Sequence, residues 1–159
     1  IMSPDFTGQY GPYSMNVTNT QTIKSLENYK IITLSPELKK EDLKNILDSC
    51  KDNSKLEIIV QGSVELMKTR NRLFTKKEFK KLKNSTDDIF LIDKKNSRYP
   101  IHKSLSNEEL IISNSEDISL LKDIEYLKSI GLVNFAIDGR WRDENYLNKI
   151  REYNAAINR

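Results

Sequence analysis

Acids, amides and arginines stand directly behind apolar runs at four places in the chain: Asn16 and Asn19; Ser35 and Glu37; Gln61 and Gly62; and Asp138, Gly139, Arg140 and Arg142. A carboxylate can take and return a proton, and a guanidinium can grip a carboxylate or phosphate with two parallel N–H donors. Together they are equipped to bind a carboxylate or phosphate and to handle protons. Glu37 and Asp138 are the candidate catalytic acids, and Asn19, Gln61 and Arg140 are candidate substrate contacts. Structural roles compete for the same residues. Ser35-Pro36-Glu37 is equally a helix start, with Ser as cap and Pro in the first turn, and Asp138 with Arg140 is equally a structural ion pair. His102 is the single histidine, away from these strand ends, and a lone histidine is a weak signal for nucleophilic or metal chemistry. The lysines between Lys76 and Lys83 read as a solvated helix face, or as a contact for an acidic partner or RNA.

For these residues to meet, the apolar runs in front of them must be strands of one sheet. Tyr13–Val17, Ile31–Leu34, Leu56–Val60 and Leu132–Ile137 are short and rich in β-branched residues, as strands require. Helical spacing follows the first at Ile23, Leu26 and Tyr29, and the second at Leu43, Ile46, Leu47 and Cys50, which assigns Cys50 to the core. Behind the last strand, Tyr146, Leu147, Ile150, Tyr153 and Ile157 mark a helix stripe. Parallel neighbours need a crossover and a helix supplies it, so alternation of strand and helix predicts an α/β fold with a parallel sheet. Between the third and fourth units, Ile89–Ile92, Arg98–Ile101 and Glu109–Ile112 read as short antiparallel strands of an inserted subdomain. The crossover helix is expected at Ile118, Leu121, Ile124 and Leu127, capped by Gly131. The expected boundaries are residues 1–72 and 116–159 for βα units and 73–115 for the insertion. Four units are about half of an eight-stranded barrel, so the expectation is the C-terminal half of a TIM-like (β/α) barrel whose N-terminal half lies upstream of Ile1.

Composition narrows the chemistry. The formal charge of +3 in 159 residues is too small to imply nucleic acid by itself. One cysteine and one histidine cannot close a zinc or iron–sulfur site or an internal disulfide, which points to a reducing, cytoplasmic setting. No apolar run approaches the roughly 18 residues needed to span a bilayer, so no membrane partner is expected. Asn16-Val17-Thr18 and Asn84-Ser85-Thr86 match the glycosylation triplet, a pattern common by chance.

An ordered set of short blocks resembles the collagenase-like peptidases. Ser14-Met15-Asn16-Val17-Thr18-Asn19 is similar to that family's first strand end, and Thr33-Leu34-Ser35-Pro36-Glu37-Leu38 to its next. Glu57 to Gly62 resembles a strand with Glu at its start and His-Gly at its end, and Met67-Lys68-Thr69-Arg70 a following block. Asn114-Ser115 with Leu120-Leu121, then Ile137-Asp138-Gly139-Arg140 with Tyr146 and Tyr153 to Ile157, complete the order. The resemblance implies a (β/α) barrel in a group of peptidases and of oxygen-independent hydroxylation factors, which modify RNA or quinone precursors through an iron–sulfur cluster. The family's cluster cysteine falls on Arg72 here, no cysteine follows between Phe74 and Glu108, and Gln61 stands where many members have His. No iron–sulfur cofactor is therefore expected. The resemblance adds Arg70 to the substrate contacts. It implies a peptidase acting on a peptide or protein, with a clusterless RNA-binding or RNA-modification accessory using Arg70, Arg72 and the lysine run as the alternative. A non-catalytic scaffold that completes the barrel is a third reading.

Overall fold

A computed structural model describes residues 10–70, 89–103, 109–140 and 146–159. Its strands are β1 (Tyr10–Gly11), β2 (Ile31–Thr33), β3 (Leu56–Gly62), β4 (Glu65–Thr69), β5 (Ile89–Ile92), β6 (Arg98–Lys103), β7 (Leu110–Ser113), β8 (Ile118–Ser119) and β9 (Asn134–Asp138). Its helices are α1 (Thr20–Ser25), α2 (Lys40–Ser49), α3 (Ile124–Ser129) and α4 (Tyr146–Ile157). The chain divides into two compact units, one of Ile1–Gly62 with Ile118–Arg159 and one of Ser63–Asp117.

The first unit is α/β. β1, β2, β3 and β9 run parallel in that order, with Tyr10 opposite Ile31, Thr33 opposite Glu57, and Glu57 opposite Asn134. Among the described residues the sheet is open and closes into no barrel. Side chains alternate across a strand, so Ile32 and Leu34 join Leu56, Ile58 and Val60 on one face. That face meets Leu43, Ile46 and Leu47 of α2, Ile124 and Leu127 of α3, and Tyr153 of α4 in a single core. Cys50 packs partly buried at its margin.

Local sequence explains the helix ends. The Asn19 side chain accepts the Thr22 amide at 2.9 Å and caps α1. Gly131, at φ 91°, follows α3, and its amide and that of Leu132 bond back to Lys128 and Leu127 at 3.0 and 3.1 Å. This is the Schellman closure, in which a left-handed residue suits glycine.

Three expectations need correction. Tyr13–Met15 is a tight 3₁₀ turn, not a strand, because Asn16 adopts the left-handed conformation at φ 49° and ends the extended backbone. Tyr10 and Gly11 take the strand pairing instead, and Val17 keeps a lone parallel bridge to Leu34. Ile118 lies in β8, which pairs antiparallel with Gln61 and Gly62 beyond the reach of three-residue β2, so the helix starts only at Ile124. In α4, Tyr153 is fully buried, whereas Leu147 and Ile150 of the expected stripe are exposed.

The second unit is a four-stranded antiparallel sheet in the order β4-β7-β6-β5. The three stretches expected as short antiparallel strands form β5, β6 and β7, and Glu65–Thr69 adds a fourth. Its small core is Ile101, Leu110 and Ile112, flanked by Ile89 and Tyr99. Among the described residues no helix is long and apolar enough to cross a membrane.

Candidate functional site

The C-terminal ends of β3 and β9 meet through glycine. Gly62 sits at φ 138°, opposite Asp138, and a Cβ there would lie 2.6 Å from the Asp138 carbonyl oxygen and 2.7 Å from its Cβ. Only glycine permits that approach. Held there, Asp138 accepts a forked pair of hydrogen bonds from Arg140, with Nε at 3.0 Å from Oδ1 and Nη2 at 2.6 Å from Oδ2. The Arg140 amide also donates to Oδ1 at 3.0 Å, Arg140 Nη2 reaches the Tyr13 hydroxyl at 3.4 Å, and the Tyr146 hydroxyl donates to the Asp138 carbonyl at 3.1 Å. The Asp138 side chain is 12% exposed and that of Arg140 46%. The carboxylate thus clamps the guanidinium, whose own surface stays half open to solvent.

The other expected site residues separate from this pair. Glu37 is exposed and lines an open pocket of about 470 Å³ with Asn19, Asp42, Asn45 and Ser49. Gln61, Asp138 and Arg140 are not in its walls. Asn19 is occupied as the cap of α1. Ser35 does not cap α2: its hydroxyl accepts the Glu37 amide at 3.3 Å within a turn, and the helix begins later, at Lys40. Gln61 is buried. A bulge in β3 between Ile59 and Gln61 breaks the side-chain alternation, and Gln61 Oε1 lies 3.2 Å from the Tyr153 hydroxyl of α4. The same hydroxyl donates to the Val60 carbonyl at 2.8 Å. In the second unit, Arg70 Nε donates to Glu109 at 2.8 Å, and His102 lies on β6 opposite Ile111. Arg72, the run from Lys76 to Lys83 and Arg142 lie outside the described residues.

Glu57 lies at the other end of β3. Its side chain is on the face opposite the core, 8% exposed by residue, and accepts from the Thr33 hydroxyl at 2.9 Å and from the Tyr10 hydroxyl at 2.8 and 2.7 Å. Burial, then the hydrogen bond to Glu57 and its charge, push the Tyr10 phenol up from 10.0 to about 12.

The family model described as Peptidase family U32 matches residues 12–159, nearly the whole chain. The chain belongs to that family. No curated protein and no solved structure matches it. The U32 membership bears out the resemblance read from the short blocks, and it covers both units. Within this U32 chain, no three His, Cys, Asp or Glu side chains among the described residues come together in a way that could hold a metal ion. Sequence reading missed two functional candidates at the Asp138–Arg140 corner. Tyr13 is expected in a strand, and Tyr146 on a helix stripe and in the block it shares with Asp138 and Arg140, yet neither pattern says that the hydroxyl turns toward Asp138 or Arg140.

Proposed function

We propose that the chain forms the substrate-binding end of a peptidase acting on a peptide or protein, at the C-terminal ends of β3 and β9. The observation that carries this is the forked Asp138–Arg140 pair, fixed by the close approach of Gly62 and half open to solvent, in a member of a peptidase family. In this reading Arg140 binds a substrate carboxylate or carbonyl oxygen, and Asp138 is the residue that positions it. Glu37, exposed in its open pocket beside Asn19, is the group that exchanges protons with substrate or water. We read the parallel sheet as one side of a larger (β/α) barrel; the outer strands β1 and β9, each with a single neighbour among the described residues, support that. The setting is taken as cytoplasmic and free of an iron–sulfur cluster, which the single thiol, Cys50, supports.

The test is peptide hydrolysis by the full chain, followed by mass spectrometry on a mixed peptide pool. Arg140→Ala should lower kcat/KM about 100-fold, because a misplaced substrate loses its reactive geometry. Glu37→Gln should cost about 100-fold or more in kcat, the usual contribution of a proton-transfer group, while shifting stability by less than about 0.5 kcal/mol. Wild-type activity that survives Arg140→Ala unchanged removes Arg140 from the site. Activity that survives Glu37→Gln leaves Glu37 as a turn residue only.

A further inference from the structure

An ionised carboxylate is among the costliest groups to take out of water, and buried ones are ordinarily paired with a cation. Glu57 breaks that pattern. Its residue is 8% exposed, its side chain accepts only the hydroxyls of Thr33 and Tyr10, and among the described residues no Lys, Arg or His pairs with it. Both hydroxyls donate to the carboxylate. A purely structural tie between β1, β2 and β3 would be met by a neutral glutamine, which accepts the same two hydroxyls at Oε1 without a buried charge. The charge thus points to something the tie does not use.

We propose that the Glu57 carboxylate, held by the Thr33 hydroxyl and covered by that of Tyr10, binds a primary ammonium group, from a free amine or a lysine side chain. The donor pattern selects this class. Oε1 already takes Thr33 at 2.9 Å and shares Tyr10, while Oε2 takes the Tyr10 hydroxyl alone at 2.7 Å. One acceptor direction is left for a compact, single-point donor, whereas the two-oxygen fork of a guanidinium would find Oε1 already filled. A divalent metal would need several more oxygen ligands, and no three acidic, His or Cys side chains gather among the described residues. Entry lies past Tyr10, whose residue is 43% exposed, on a strand with one neighbour among the described residues, and whose hydroxyl covers the carboxylate. The raised phenol pKa agrees, since it keeps Tyr10 a donor beside a charged neighbour. This site lies at the opposite end of β3 from Arg140 and does not depend on the peptidase reading.

The probe is n-butylammonium, titrated into the full chain at constant ionic strength, with the Tyr10 ring and Glu57 carboxyl signals followed by NMR. Saturable shifts at both residues are expected. Glu57→Gln should weaken them about tenfold or more. Tyr10→Phe, which keeps the charge and uncovers Oε2, should bind at least as tightly as wild type. Tetramethylammonium and potassium, which cannot donate a hydrogen bond, should give no saturable shift. N-acetyl-lysine amide tests the lysine source against the free amine, and binding of either supports the site. Equal shifts with potassium, or binding unchanged in Glu57→Gln, overturn the proposal. Should Glu57→Gln fail to fold, loss of binding in well-folded Tyr10→Phe overturns it instead.

Discussion

The two ends of β3 hold an acid in opposite ways. At the far end, Asp138 is answered by a full guanidinium, and the contact depends on backbone: Gly62 must have no side chain for β9 to come so close. At the near end, Glu57 is answered among the described residues only by two hydroxyls, and the described backbone there takes no left-handed conformation. The first site is defined by geometry and should break when atoms are added. The second is defined by charge and should respond to protons and cations with little change in shape.

Adding a single methyl group at Gly62 is the sharpest break. Gly62→Ala forces a Cβ to 2.6 Å from the Asp138 oxygen and leaves a side chain at φ 138°, so both clash and backbone strain oppose it. The expected loss is about 3 kcal/mol or more, read by denaturant unfolding, with loss of any Arg140-dependent peptide hydrolysis. A variant within about 1 kcal/mol of wild type would mean that β9 can shift away from β3, and that the corner is not geometrically defined.

How much of this was legible in the sequence follows the same division. Apolar runs such as Leu56–Val60 and the helical spacing of Leu43, Ile46 and Leu47 announced alternating strands and helices, because burial imposes those periods directly. Gly131 was readable as a cap since its conformation is needed whatever surrounds it. Asp138 and Arg140, two residues apart at a strand end, could be read as a pair. The bulge after Ile59 could not be, because it inserts a residue without altering composition, and it moves Gln61 from the expected substrate face to Tyr153. Asn16 and Asn19 stood at a strand end in the sequence, yet one ends a turn and the other caps a helix, the local bonding to which asparagine is suited. Glu57 was visible as a charge in an apolar run. Its neighbours Tyr10 and Thr33, 47 and 24 residues away, come from pairing register that no local pattern encodes.

A middle-sized effect lies at the bulge itself. Tyr153→Phe removes the donor to the Val60 carbonyl in a fully buried position. That carbonyl also accepts the Leu120 amide at 2.8 Å, so it is not left without a partner, and the cost should stay near about 1 kcal/mol. Thermal or urea unfolding measures it. A loss of about 3 kcal/mol would show that the hydroxyl also holds the bulge and Gln61 in place.

The smallest effect belongs to the charge-defined end, and its sign can be worked out. The Tyr10 phenol is pushed up from 10.0 to about 12, so the folded chain keeps a proton that the unfolded chain has begun to release. Between those two pH values the unfolded state binds fewer protons than the folded one, and stability falls as pH rises; below 10.0 the contribution is fully present. Other tyrosines and lysines titrate in the same range, so the informative quantity is the difference between wild type and Tyr10→Phe. Wild type should lose its advantage over the variant progressively from about 10 to about 12. The residue is 43% exposed and solvent screens it, so the change should be about 1 kcal/mol or less. Glu57→Gln should shrink it further by removing the charge that opposes phenolate formation, leaving burial and a hydrogen bond to the amide oxygen to raise the phenol. A pH difference that is identical with and without the Glu57 charge would show that the near end is held by burial, and that the contrast between the two ends of β3 is one of packing alone.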